Sequence, residues 1–136
     1  MTELFTPMKK GTILIPTGPV EHLHFICSDV VFNPITAKDS VLLVNIASVK
    51  DGSDYDKTCI LNDGDHPFIK HESYVYYYKA GIFSSNNISQ CVAQGDYRIH
   101  EPCSDDTFSR ILSGFGISEE VSGKIKKFYE THCKQF

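Results

Sequence analysis

The chain has 136 residues, 41% hydrophobic and 22% charged, with a formal net charge of −4 at pH 7. That length holds one core and leaves no room for two, and the composition is that of an ordinary globular protein. The acidic balance excludes the global basic field of a non-specific nucleic-acid binder, while leaving room for a small local basic site.

Residues 1–10 form a lead-in ending in Lys9-Lys10. The β-branched run 11–16 predicts a first strand, and Thr17-Gly18-Pro19 a turn. Residues 22–29 predict a second strand with Leu23, Phe25 and Cys27 on its core face and His22, His24 and Ile26 on the other. Asn33-Pro34 and residues 37–39 read as a loop. The nearly all-apolar run 40–49 predicts a central strand buried on both faces. A turn at 51–54, a strand at 57–61 and a turn at 62–64 follow. Tyr74–Tyr78 reads as a strand from its Tyr and Val content, with Tyr74, Tyr76 and Tyr78 on one face and Val75 and Tyr77 on the other. Residues 81–87 read as strand or turn, and 88–92 and 97–99 as short strands.

The pattern then turns helical. Ser104-Asp105-Asp106 caps a helix carrying Phe108, Ile111 and Leu112, which Gly114 and Gly116 are expected to stop. Ser118-Glu119-Glu120 is expected to open a second helix, with Val121, Ile125, Phe128 and Tyr129 as its apolar stripe and Lys124, Lys126 and Lys127 as its solvated side. The expected fold is therefore mainly β with some α, a small strongly bent barrel or half-barrel over about 10–100 followed by one or two helices within 104–133, all in a single domain 1–136.

The five cysteines are widely spaced and form no CxxC pair. The first residues lack the order of a secretory leader, and no apolar run is long enough for a membrane span. A cytoplasmic protein with reduced thiols is expected, with Cys27 and Cys59 as small core residues.

The densest chemistry lies in residues 64–80, GDHPFIKHESYVYYYKA, which hold two of the six histidines, two carboxylates, two lysines and four tyrosines. His22-x-His24 sets two more imidazoles on one strand face. That pair fits acid/base work, metal ligation or simple exposure. A zinc site would draw its further ligands from Asp65, His66 or His71, but no recognised metal spacing occurs, so no metal and no cofactor are expected. No Gly-x-Ser-x-Gly elbow frames Ser73, which argues against a serine hydrolase.

The element order resembles the PemK/MazF family of toxin endoribonucleases, which have an SH3-like barrel and a C-terminal helix. The resemblance is carried by KGTILI at 10–15, HLHFICSD at 22–29, SVLLVNIASV at 40–49 and the late helix around 108–112, and so spans about residues 10–115. It implies single-stranded RNA as substrate, a homodimer and an antitoxin protein as partner. Ser48 matches the family's Thr/Ser position at the end of the third strand. The family grips phosphate with an arginine at the head of its second strand; His22 stands there in this chain, and the only arginines are Arg98 and Arg110.

Metal-free RNA cleavage needs a base for the 2′-hydroxyl, an acid for the leaving 5′ oxygen and donors for the charged phosphorane. Histidine suits both proton-transfer roles. The candidate catalytic residues are His22, Ser48, His66 and His71. The candidate substrate-binding residues are His24, Lys57, Lys70, Tyr74 and Tyr76, the tyrosines as base-stacking surfaces. The alternative is a non-catalytic SH3-like protein-interaction module whose groove is the tyrosine strand.

Overall fold

The computed structural model describes residues 5–134. The protein is mainly β. An eight-stranded antiparallel sheet is built from β1 (Thr12–Thr17), β2 (Val20–Ile26), β3 (Val31–Asn33), β4 (Lys38–Ser48), β5 (Ile60–Leu61), β6 (Ser73–Val75), β7 (Gly81–Ser84) and β8 (Arg98–His100). Three helices accompany it: α1 (Ser85–Ala93), α2 (Asp105–Ile117) and α3 (Gly123–His132). The main path runs β5-β6-β4-β2-β1-β8, and β3 and β7 also pair with β4.

β4 organises this sheet. Its start pairs with β3, its middle with β7 and β2, and its end with β6. Ser40 faces both Val31 and Ser84, and Leu43 both Ile26 and Gly81, so the strand has neighbours on both edges. Its side chains alternate between two cores, as a period of two demands. Leu42, Val44 and Ile46 join Phe25 in a core covered by Phe108, Ile111 and Phe115 of α2 and Ile125, Phe128 and Tyr129 of α3. Val41 and Leu43 join Ile13, Ile26 and Ile88 of α1 in the other. The doubly buried central strand read from the sequence is thus present, beginning two residues earlier. β1 and β2 close as a two-residue hairpin in which Gly18 takes φ 62° at the first central position, a conformation glycine adopts without a Cβ penalty.

Several expectations are corrected. The segment 33–39 is a short reversal between β3 and β4, with Ala37 at φ 57°, rather than one loop. The strand expected over 57–61 is only Ile60–Leu61. Ile88–Val92 is helical: the Ser84 hydroxyl accepts from the Asn87 N–H at 3.2 Å and caps α1. The spacing of Ile88 and Val92 is also a helical i, i+4 pair, and two apolar residues were too few to choose between periods. Ile26, assigned to the outer face of β2, is fully buried because α1 covers that face.

α2 runs through Gly114 and Gly116 instead of stopping there. Gly114 is a contact residue: a Cβ on it would lie 1.8 Å from the phenol oxygen of Tyr77. That phenol is 1% exposed and donates to the Ile111 carbonyl at 2.7 Å. Ser118 does not open α3. Its N–H closes α2 on Gly114 O, its hydroxyl donates to Asp56, and Ser122 caps α3 instead. Of the expected apolar stripe, Ile125, Phe128 and Tyr129 are buried on α3, whereas Val121 precedes the helix and is half-buried against the same core.

All five cysteines are free thiols; Cys27 and Cys59 are buried, as are Cys103 and Cys133. Among the described residues, no helix is long and apolar enough to cross a membrane.

Candidate functional site

A cavity of about 620 Å³ opens at the end of β4, and its walls include His22, Ser48, Lys70, His71 and Tyr74. Three separate stretches of chain meet there. Ser48 ends β4 opposite Ser73 of β6. His22 lies on β2, where the pairing of His24 with Asn45 leads along the ladder toward Ala47. Lys70 and His71 arrive on the loop 62–72.

That loop is pinned along its length. Gly64 takes φ 101° in a turn closed by Asp65 N–H to Asn62 O at 3.0 Å. The Asp65 carboxylate accepts from the Asn62 N–H at 2.7 Å and from Arg110 of α2 at 2.7 Å. Ile69 is 2% exposed and anchors in the larger core. The Val49 N–H then donates to Glu72 O at 3.1 Å, which sets the loop's end beside β4. The outcome is a direct hydrogen bond of 2.7 Å between Ser48 Oγ and His71 Nε2 at the solvent-facing mouth of the cavity. That distance is within reach for proton transfer between a hydroxyl and an imidazole base.

The remaining expected residues divide. Tyr74 lines the cavity and Tyr76 packs beside it, ring centroids 5.5 Å apart. His24 is half-buried on β2 with Nδ1 3.0 Å from the His22 carbonyl, and burial holds its imidazole below the usual range. Lys57 sits over the Tyr55 ring at 5.5 Å but is not among the residues that line the cavity. Among the described residues, no group of three or more His, Cys, Asp or Glu side chains is arranged to hold a metal ion.

His66 stands apart from the cavity. It is 2% exposed, with Nε2 2.6 Å from the Glu101 carbonyl and Nδ1 3.1 Å from the Phe68 N–H. One nitrogen must donate and the other accept, so the ring is neutral and both its hydrogen-bonding positions are occupied. It works as a tie between the loop 62–72 and the segment after β8. Burial pushes its pKa below 6.5, and the neighbouring His100 adds to that shift against the pull of the Glu101 carbonyl. The folded state therefore disfavours the proton. The stability from this tie is complete above the unfolded pKa of about 6.5 and is lost as pH falls through the lower folded value. Urea midpoints measured from pH 7.5 to 5 should fall over that window. A His66→Gln protein should be weaker at pH 7.5 and show a flatter slope; an unchanged slope would remove this account.

Neither arginine reaches the cavity as a free cation. Arg98 forms a two-point pair with Glu21 at 2.6 and 2.9 Å, and its hydrogen bond holds the Glu21 carboxyl below the usual range. Arg110 is taken up by Asp65 and Asp106. Lys50 and Tyr55 also line the cavity, although sequence reasoning passed over both. They belong to the irregular stretch between β4 and β5, where no periodicity points a side chain anywhere. Asp56, bonded to Thr58 and Ser118, holds that stretch in place. No known family profile, curated protein or solved structure matches the chain.

Proposed function

We propose that this protein is a metal-independent endoribonuclease that cuts single-stranded RNA. The observation that carries the reading is the 2.7 Å contact of Ser48 Oγ with His71 Nε2, in a cavity shared with His22 and Lys70. The Ser48 oxygen marks a place where a hydroxyl meets the imidazole at bonding distance. A ribose 2′-hydroxyl seated there gives its proton to Nε2, and its oxygen attacks the adjacent phosphorus. The 5′ oxygen leaves with a proton from the second imidazole, His22, which leaves a 2′,3′-cyclic phosphate and a 5′-hydroxyl. Lys70 donates to the phosphorane oxygens, the role for which the PemK/MazF family uses an arginine. Ser48 holds the His71 ring in place in the free protein and yields Nε2 to the ribose hydroxyl when RNA binds.

The toxin-type context belongs to the same proposal: an SH3-like frame, a homodimer and an antitoxin partner. It is supported by the element order and by the long β4, which pairs with four other strands. The alternative, a non-catalytic interaction module, draws on the tyrosines beside the cavity and needs no acid/base pair. Incubation of the purified protein with a single-stranded RNA in EDTA decides between them. Fragments ending in cyclic phosphate are expected. RNA left intact by a folded sample would sink the nuclease reading and leave the interaction module.

A further inference from the structure

Tyr74 and Tyr76 belong to a longer row. Tyr55 and Tyr74 are 5.1 Å apart between ring centroids, Tyr74 and Tyr76 5.5 Å, and Tyr76 and Tyr78 6.2 Å with planes 28° apart. The row begins at the cavity, whose wall includes Tyr55 and Tyr74, and leads outward to Tyr78, which is 66% exposed. Its cause is local. Val75 and Tyr77 are buried, and the Tyr77 phenol is locked onto Ile111 O, so the alternating residues must turn outward. A contiguous aromatic strip at the surface, unlike a single exposed ring, calls for a binding role.

We propose that Tyr74, Tyr76 and Tyr78 form a stacking platform for unpaired bases, which holds a single-stranded segment on one side of the cleaved phosphate. The proposal rests on the nuclease reading for its location and adds the requirement for several unpaired nucleotides on that side. Rings spaced along a strip favour a ligand with repeating flat faces, and those faces are free only in a single strand. Charge sets the direction. The Tyr55 end adjoins four carboxylates, Asp54, Asp56, Glu119 and Glu120, against the single ammonium of Lys57, and Asp56 and Glu120 help to raise the Tyr74 pKa, after burial and Tyr76. Phosphates are repelled there. Lys50 and Lys70 stand at the cavity and Lys79 directly follows Tyr78. The strand therefore leaves the cavity along Tyr76 and Tyr78, away from Tyr55.

The test uses wild-type protein and a fluorescein-labelled single-stranded oligodeoxynucleotide of eight residues, which lacks the 2′-hydroxyl and cannot be cut. Anisotropy gives its Kd, and tyrosine emission can be read directly because the chain has no tryptophan. Binding should quench that emission. Tyr76→Ala and Tyr78→Ala should each raise Kd roughly 5- to 150-fold, the range of base-on-aromatic stacking, while Tyr78→Phe keeps the wild-type value. A blunt duplex of the same length should bind much more weakly. Alanine variants that bind like wild type, a duplex that binds as tightly as the single strand, or no binding at all would overturn the platform. Cleavage of RNA in EDTA is scored separately. Tyrosine-dependent binding without cleavage supports the platform and removes the nuclease. Cleavage with tyrosine-independent binding does the reverse.

Discussion

Replacing His71 with alanine is expected to lower the rate of RNA cleavage by roughly 100- to 10,000-fold, the usual contribution of a positioned general acid or base. The argument is geometric. His71 Nε2 is the imidazole nitrogen that already holds a hydroxyl at 2.7 Å in the cavity. Its side chain is exposed, so its loss removes no packing and the melting temperature should stay near that of wild type. Ser48→Ala should be milder. It removes one exposed orienting hydrogen bond, worth about 1 kcal/mol or about fivefold in rate. His66→Gln provides the contrast, because it loosens a buried tie without touching the cavity. It should shift stability and its pH dependence while cleavage by the folded fraction persists. Initial rates on a fluorogenic single-stranded RNA, set beside thermal melts, separate the three. Wild-type cleavage by the His71→Ala protein would end the assignment of His71 as base.

Gly114→Ala should destabilise the fold by roughly 2–6 kcal/mol. Overpacking a close-fitted interior costs about 1–3 kcal/mol, and breaking the buried phenol hydrogen bond adds about 1–3 kcal/mol. The added methyl would fall 1.8 Å from Tyr77 Oη and 2.4 Å from the ring carbon that bears it. Tyr77 cannot swing aside, because it is 1% exposed and packs edge-on to Phe115 at 4.9 Å. Either the ring leaves its pocket or α2 lifts from the sheet. Shortening the ring partner should rescue part of the loss. The Gly114→Ala, Tyr77→Leu double variant is expected to be less destabilised than the sum of the two single changes, the sign of direct contact. Urea midpoints provide the values. A Gly114→Ala protein within about 0.5 kcal/mol of wild type, the range of an uninvolved surface position, would show that no such contact limits the helix.

Where a pattern repeats over several residues, the sequence and the structure agree. The apolar run of β4 predicted burial on both faces, and side chains from Val41 to Ile46 do feed two cores. Tyrosine parity survived even though β6 ends at Val75 and Tyr77–Lys79 is a single 3-10 turn. The inward pull on Val75 and Tyr77 comes from burial, which does not require the ladder to continue. The apolar stripe of α3 was legible for the same reason. Segments with only two apolar residues were misread, as at Ile88 and Val92, because such a pair fits either period. The glycines of α2 were read as stops from their propensity; a contact 37 residues away in sequence, between Tyr77 and Gly114, accounts for Gly114 and leaves the helix intact.

The sequence by itself determined the strand-rich class, the central place of β4, the late helices and the inward and outward division of the tyrosines. Each of these follows from burial that repeats over several consecutive residues. Tertiary structure alone decided which polar residues meet. His66 and His71 lie five residues apart on one loop, yet the first is enclosed against Glu101 and the second reaches Ser48. The physical reason is that the loop's path is fixed by anchors far away in sequence, Arg110 on Asp65 and Ile69 in the core. Local order in the chain carries no trace of those anchors, so the crowding of residues 64–80 marked the region without telling its two histidines apart.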